Sequence, residues 1–278
     1  MLKQRVITAI VLLALLLPAL FAASPWPFAV LTLLLIGAAG WEWGRLNNAG
    51  AGLAVAMGVL LALAGAAALA LGWTLVPPAW LWWPVALAWV AGGALALRGG
   101  PAAWPGLPLA LRRLLGLAML WVAWLAIAHA RSIGINFILS VFCLVWVADI
   151  AAYFGGRALG RRKLAPSISP GKSWEGAFSG MAGVIVLAFV WRWVDASQPV
   201  DAPSLYSRMA ASWGVAGMLA GSLLLGAMSV VGDLFESLVK RAAGAKDSSK
   251  LLPGHGGVLD RVDALLPVFP IAIALATN

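Results

Sequence analysis

Residues 46–97 read LNNAGAGLAVAMGVLLALAGAAALALGWTLVPPAWLWWPVALAWVAGGALAL, and not one of them carries a charge. A membrane-crossing helix needs about 20 predominantly apolar residues. The run is too long for one crossing and suits two, at residues 51–75 and 80–97, broken by the Gly and Pro residues of 72–78. Toward the N-terminus the same pattern predicts spans at 6–23 and 26–43. Toward the C-terminus it predicts spans at 114–130, 133–148 (with a tight turn around Arg131), 177–194, 213–232 and 264–277. The last is short and carries Pro267 and Pro270. The pattern therefore predicts an all-α integral membrane protein, a polytopic bundle of about nine transmembrane helices.

Composition agrees. Of the 278 residues, 63% are hydrophobic and 10% charged, against about 25% charged in an ordinary soluble domain. Sixteen tryptophans suit the membrane interface. The single cysteine, Cys143, excludes an internal disulfide and a cysteine-based zinc site. Residues 1–24 imitate a signal peptide, with Lys3 and Arg5 before an apolar run, but Pro25 would hinder cleavage, so they read as a retained first helix. No repeat or linker divides the chain. It is taken as one membrane domain, 1–278, in which 1–130 is mainly scaffold and 131–278 carries the chemistry.

The net charge of +9 is accounted for by topology rather than by nucleic acid. With the N-terminus in the cytoplasm, sixteen Lys and Arg residues fall on inner loops and only Arg131, Arg192 and Arg208 on outer ones. That is the bias expected of loops retained inside. It places two polar segments, 149–176 and 233–263, on the cytoplasmic face.

Those segments hold, within or at their edges, seven of the ten acids: Asp149, Glu175, Asp233, Glu236, Asp247, Asp260 and Asp263. The loop bias explains bases, not acids, and an acid at a span end is a functional candidate. If the eighth span continues, Asp233, Glu236, Ser237 and Lys240 share one helix face. Asp260 and Asp263 are likewise three apart, and two such carboxylate-bearing helix ends, with Asp149 at a third span end, could hold one or two hard cations such as Mg²⁺, which takes carboxylates together with substrate phosphates. The competing reading is that these acids form solvated ion pairs with Lys240, Arg241 and Arg261. Pro253-Gly254-His255-Gly256-Gly257 is a tight loop able to approach an anion, flanked by Lys246 and Lys250. Ser169-Pro170-Gly171-Lys172-Ser173 is predicted to open a helix with Pro170 at its first position, beside Lys172. His255 reads as a phosphate donor, and His129 as a structural residue.

These residues also carry a resemblance. Ser237, Lys240-Arg241, Lys246-Asp247 and Leu252 to Asp263 resemble the signature of phosphatidate cytidylyltransferases, the CDP-diacylglycerol synthases. Asp149, Tyr153, Gly156-Arg157, Gly160, Lys163, Pro166, Ser169-Pro170 and Lys172 to Gly176 resemble that family's other cytoplasmic motif. The resemblance implies transfer of a cytidylyl group from CTP to phosphatidic acid, Mg²⁺ dependence, and a homodimer in the cell (inner) membrane with its active site facing the cytoplasm. It also implies a paired-cation site at Asp233 and Asp260, with a monovalent ion such as K⁺ beside Mg²⁺. On this reading Asp233, Asp260, Lys240, Arg241 and His255 are catalytic. Lys172, Ser169, Ser173, Lys246, Gly256, Gly257 and Arg261 bind substrate. The rival readings are a polyisoprenol kinase, a secondary transporter and a scaffold.

Overall fold

In lipid a backbone must satisfy its own polar groups, which leaves these apolar segments little choice but helix. The computed structural model describes residues 2–277. The side chains of Lys3 and Arg5, counted above on the inner face, lie outside the described residues. The chain order is α1 (Leu2–Phe21), α2 (Trp26–Leu46), α3 (Ala51–Ala70), α4 (Trp82–Ala103), α5 (Leu109–Ile133), α6 (Ile135–Leu159), β1 (Lys163–Ala165), β2 (Ser169–Ser173), α7 (Trp174–Ser197), α8 (Leu205–Ala242), α9 (Leu259–Val262) and α10 (Leu265–Ala276).

Among the described residues seven helices, α2 to α8, are long and apolar enough to cross a membrane. The two expected spans that fall short are the first and the last. The apolar part of α1 covers only Val6–Phe21. Helix α10 has 12 residues, a rise of about 18 Å against a hydrocarbon core of about 30 Å. Eleven of those residues are buried. The segment at 264–277 is therefore a core helix, packed against α8, α5, α4 and α6, rather than a lipid-facing span. Its high hydrophobicity reflects burial in protein. The turn expected at Arg131 lies instead at Gly134, and Arg131 stays in α5, donating to the carbonyls of Leu20 and Ala22.

Two features position the polar segments. Helices α6 and α7 pack backbone to backbone: a Cβ on Gly176 or Gly180 would stand 2.8 Å from the carbonyl oxygen of Ala152 or Ala148. Small residues permit such close helix contact. Helix α8 covers 38 residues in two pieces joined at a kink at Gly214, and its second piece carries Asp233 to Lys240 on its last turns. The continuation expected beyond residue 232 is present.

The stretch 169–173 does not begin a helix. It is β2, antiparallel to β1, with Lys163 opposite Ser173 and Ala165 opposite Ser169. Ser173 caps α7, its Oγ accepting the Gly176 N–H at 3.1 Å, so Pro170 lies in the strand and not at a helix N-terminus. Serine is a favoured cap. Glu175 reinforces the choice by accepting the backbone N–H groups of Arg161 and Arg162 at 3.0 and 3.1 Å.

Candidate active site

The hairpin turns Lys172 toward α8. Its Nζ lies 2.5 Å from Oδ2 of Asp233. The Ser237 hydroxyl approaches the other oxygen at 3.4 Å. Both residues line a cavity of about 400 Å³, together with Asp149, Arg157, Tyr153 and Ser173. Leu164, Val230, Ala152 and Ala177 complete its wall. The cavity thus joins ionised groups of both signs to apolar side chains at the ends of α6 and α8. Asp263 stands behind Asp233. A Cβ on Gly232 would lie 2.5 Å from the Asp263 carbonyl oxygen, so this glycine lets α8 close on the α9–α10 corner. Burial pushes the Asp263 carboxyl up from its ordinary range, and the Asp233 charge pushes it further. A larger cavity of about 430 Å³ on the other side of α8 is lined by no ionisable side chain and offers no such chemistry.

Asp260 belongs to a different cluster. Its Oδ1 accepts from Lys240 Nζ at 2.6 Å. Its Oδ2 accepts from Ser248 N–H at 2.9 Å, Ser248 Oγ at 2.8 Å and Gly257 N–H at 2.7 Å. Lys240 also pairs with Glu236, which is buried, at 2.5 Å. Burial alone would raise the Asp260 carboxyl, but Lys240 and the N–H donors outweigh it and hold it below the usual carboxylate range. Glu42 of α2 closes the cluster. Fully buried, it accepts the N–H groups of Val258 at 2.9 Å and Leu259 at 2.8 Å. It also accepts the hydroxyl of Ser249 at 2.6 Å, and the Ser248 hydroxyl, closer to Asp260, stands at 3.2 Å.

The model of the cytidylyltransferase family matches residues 3–277. The chain belongs to the cytidylyltransferase family. It is 39% identical over 290 residues to a phosphatidate cytidylyltransferase of Pseudomonas aeruginosa, covering 99% of this chain and 97% of the relative. To one of Haemophilus influenzae it is 38% identical, covering 97% and 96%. To one of Brucella suis it is 40% identical over 227 residues, covering 82% of this chain and 68% of the relative.

In this cytidylyltransferase the residues singled out from sequence divide into three groups. Asp149, Lys172, Ser173 and Asp233 share the cavity, with Asp263 behind it. Glu236, Lys240 and Asp260 form the buried cluster, to which Gly256 and Gly257 belong. A Cβ on Gly256 (φ +83°) would lie 2.5 Å from Asp260 Oδ2, and one on Gly257 2.2 Å from Glu42 Oε1. The glycines expected to admit a substrate phosphate admit the protein's own carboxylates. The third group lies at the rim. Arg241 bonds the Ala245 carbonyl and Arg261 the His255 carbonyl. Lys246 is exposed, Ser169 is half-buried in the hairpin, and His255 has its Nδ1 enclosed. His129 is buried, with Nδ1 3.1 Å from the Thr74 carbonyl oxygen, as a structural residue would be.

Sequence reading passed over Glu42, Ser248, Ser249 and, as a site residue, Arg157. Glu42 had a signal: it is an acid inside an apolar helix, which is costly unless it has a task. It falls at the end of the span expected at 26–43.

Proposed function

We propose that this protein transfers the cytidylyl group of CTP to phosphatidic acid, releasing pyrophosphate and forming CDP-diacylglycerol. The observation that carries this reading is the cavity in which Lys172 meets Asp233 beside Asp149 and Arg157. It has bases for phosphates, acids for a cation, and an apolar wall on a membrane protein. The relatives named above are phosphatidate cytidylyltransferases, and the match to two of them covers 99% and 97% of this chain.

In the reaction a phosphate oxygen of phosphatidic acid bonds to the α-phosphorus of CTP as the bond to the β-phosphate oxygen breaks. The nucleophile is already an anion, so no strong base is needed. The barrier is the approach of two polyanions, and positioning with charge neutralisation lowers it. Lys172 and Arg157 take phosphate charge from the cavity side. Lys240, Arg241, Lys246, His255 and Arg261 supply further positive charge or N–H donors around the second segment.

The acids fit Mg²⁺ in kind. The donors are hard carboxylate oxygens, and Mg²⁺ needs only one or two of these when phosphates and waters complete its shell. Among the described residues no three His, Cys, Asp or Glu side chains converge on one point, so the nucleotide must supply the rest. Asp233 and Asp260 are the first candidates to hold the ion, with Asp263, Glu236 and Asp149 second, one or two carboxylates at a time. Mg²⁺ bound there would neutralise the triphosphate and the leaving pyrophosphate. A monovalent ion such as K⁺ and a homodimer belong to the same reading. So does the topology. The bias of Lys and Arg toward one set of loops supports a cytoplasmic N-terminus and a site facing the cytoplasm from the inner membrane.

The test is product analysis. Purified protein with CTP, Mg²⁺ and phosphatidic acid is expected to release pyrophosphate and a CDP-lipid. CDP with a phosphorylated lipid would mark a kinase and overturn the proposal.

A further inference from the structure

We infer that Glu42, from the N-terminal half of the chain, is a positioning residue for cytidylyl transfer: it sets the 248–259 loop and, through Ser248, the orientation of Asp260 and Lys240. The inference rests on the reaction proposed above and adds a residue outside both cytoplasmic motifs.

Three donors from the 248–259 stretch converge on this carboxylate, Ser249 Oγ, Val258 N–H and Leu259 N–H, and the Ser248 hydroxyl, whose single proton is shared with Asp260, stands at 3.2 Å. Among the described residues no Lys or Arg pairs with Glu42. A buried charge is costly unless it is paired or hydrogen-bonded, so the carboxylate keeps its place only with the loop seated on it. Ser248 is the link onward. Its hydroxyl contacts Glu42 Oε2 at 3.2 Å and Asp260 Oδ2 at 2.8 Å. Asp260 then holds Lys240. At its other end Glu42 is rigid. The neighbouring Trp43 is fully buried, donates to the Arg112 carbonyl at 3.0 Å and stacks on Phe235 of α8. The scaffold half thereby sets where the lysine of the motif stands. Glu42 touches only protein, so its removal should slow the chemical step while leaving ground-state binding nearly intact.

The experiment compares purified full-length wild type with Glu42→Gln. A Gln retains the shape but presents an NH₂ to backbone donors that need an acceptor. With CTP, phosphatidic acid and Mg²⁺, the variant is expected to lose about tenfold or more in kcat, with KM for both substrates within about threefold. Wild-type kcat in a folded variant, or a rise in KM alone, overturns the inference. If Glu42→Gln does not fold, Ser249→Ala decides: it removes one donor, and an unchanged kcat overturns the inference. Amide exchange at Val258 and Leu259 reads the contact without turnover. It is expected to quicken in the variant, and unchanged exchange also counts against the inference. Wild type that exchanges normally but makes no CDP-lipid defeats the proposed reaction instead.

Discussion

Lys172 Nζ stands 2.5 Å from Asp233 Oδ2, while Asp260 is held by a different base, Lys240, at 2.6 Å. The two aspartates expected to hold a cation are thus each paired with a different lysine. Asp233 faces a cavity and is half-buried. The side chain of Asp260 is 7% exposed and receives four donor contacts. Their substitutions should therefore behave differently.

Asp233→Asn removes the partner of Lys172 and a candidate Mg²⁺ ligand without emptying a buried site. Pyrophosphate release is expected to fall by about a hundredfold or more, the scale of losing a preorganised electrostatic group. The thermal midpoint should stay near that of wild type. A variant with full turnover would remove Asp233 from the site.

Asp260→Ala breaks a buried ion pair and strands three further donor contacts from Ser248 and Gly257. Breaking such a pair by deleting one partner costs about 3–5 kcal/mol. The expected result is a lowered unfolding midpoint in detergent together with lost activity. Activity lost with an unchanged midpoint would instead assign Asp260 a direct role at the cation.

Gly257→Ala would place a methyl group 2.1 Å from Ser248 Oγ and 2.2 Å from Glu42 Oε1. No side-chain end can withdraw without breaking a hydrogen bond, so the loop must shift. Turnover should drop severely. Gly52→Ala, in α3 with nothing within 4 Å of the added Cβ, is the control for a glycine in open space.

The Asp263 carboxyl is raised by burial and by the Asp233 charge. Without a cation, the folded protein therefore binds a proton that the unfolded chain releases. Stability from this group is full below the ordinary carboxylate range and is lost as pH rises toward the raised value. In EDTA the thermal midpoint of wild type is expected to fall from mildly acidic to neutral pH, and Asp263→Asn to flatten that slope. Mg²⁺ should bind more tightly as pH rises, because proton and cation compete for the same acids. Identical slopes for wild type and variant would remove Asp263 from this role.

Much of the site's chemistry was legible because it is written locally. Acids and bases gathered at 149–176 and 233–263 stand out in a chain that is 10% charged. The spacing of Asp233, Glu236 and Lys240 puts them on one face if the helix runs on beyond residue 232, and α8 does run on. The hairpin was not legible. Pro170 at a helix start and Ser173 as a cap are both reasonable locally, and contacts of Glu175 with Arg161 and Arg162 favour the second. Residues 264–277 were read as a span because periodicity does not distinguish burial in protein from burial in lipid.

The amino-acid sequence by itself determined that this is a helical membrane protein, where its charged stretches lie, and the kind of chemistry they hold. Those properties depend on how apolar each short window is and on which side-chain types it contains. Only the tertiary structure decided which acid meets which base. Lys172 finds Asp233 across 61 positions, and Glu42 reaches Leu259 across 217. Contacts over such separations have no local signature. They are set when α2, α8 and the 248–259 loop pack together, with glycines at 232, 256 and 257 leaving the space.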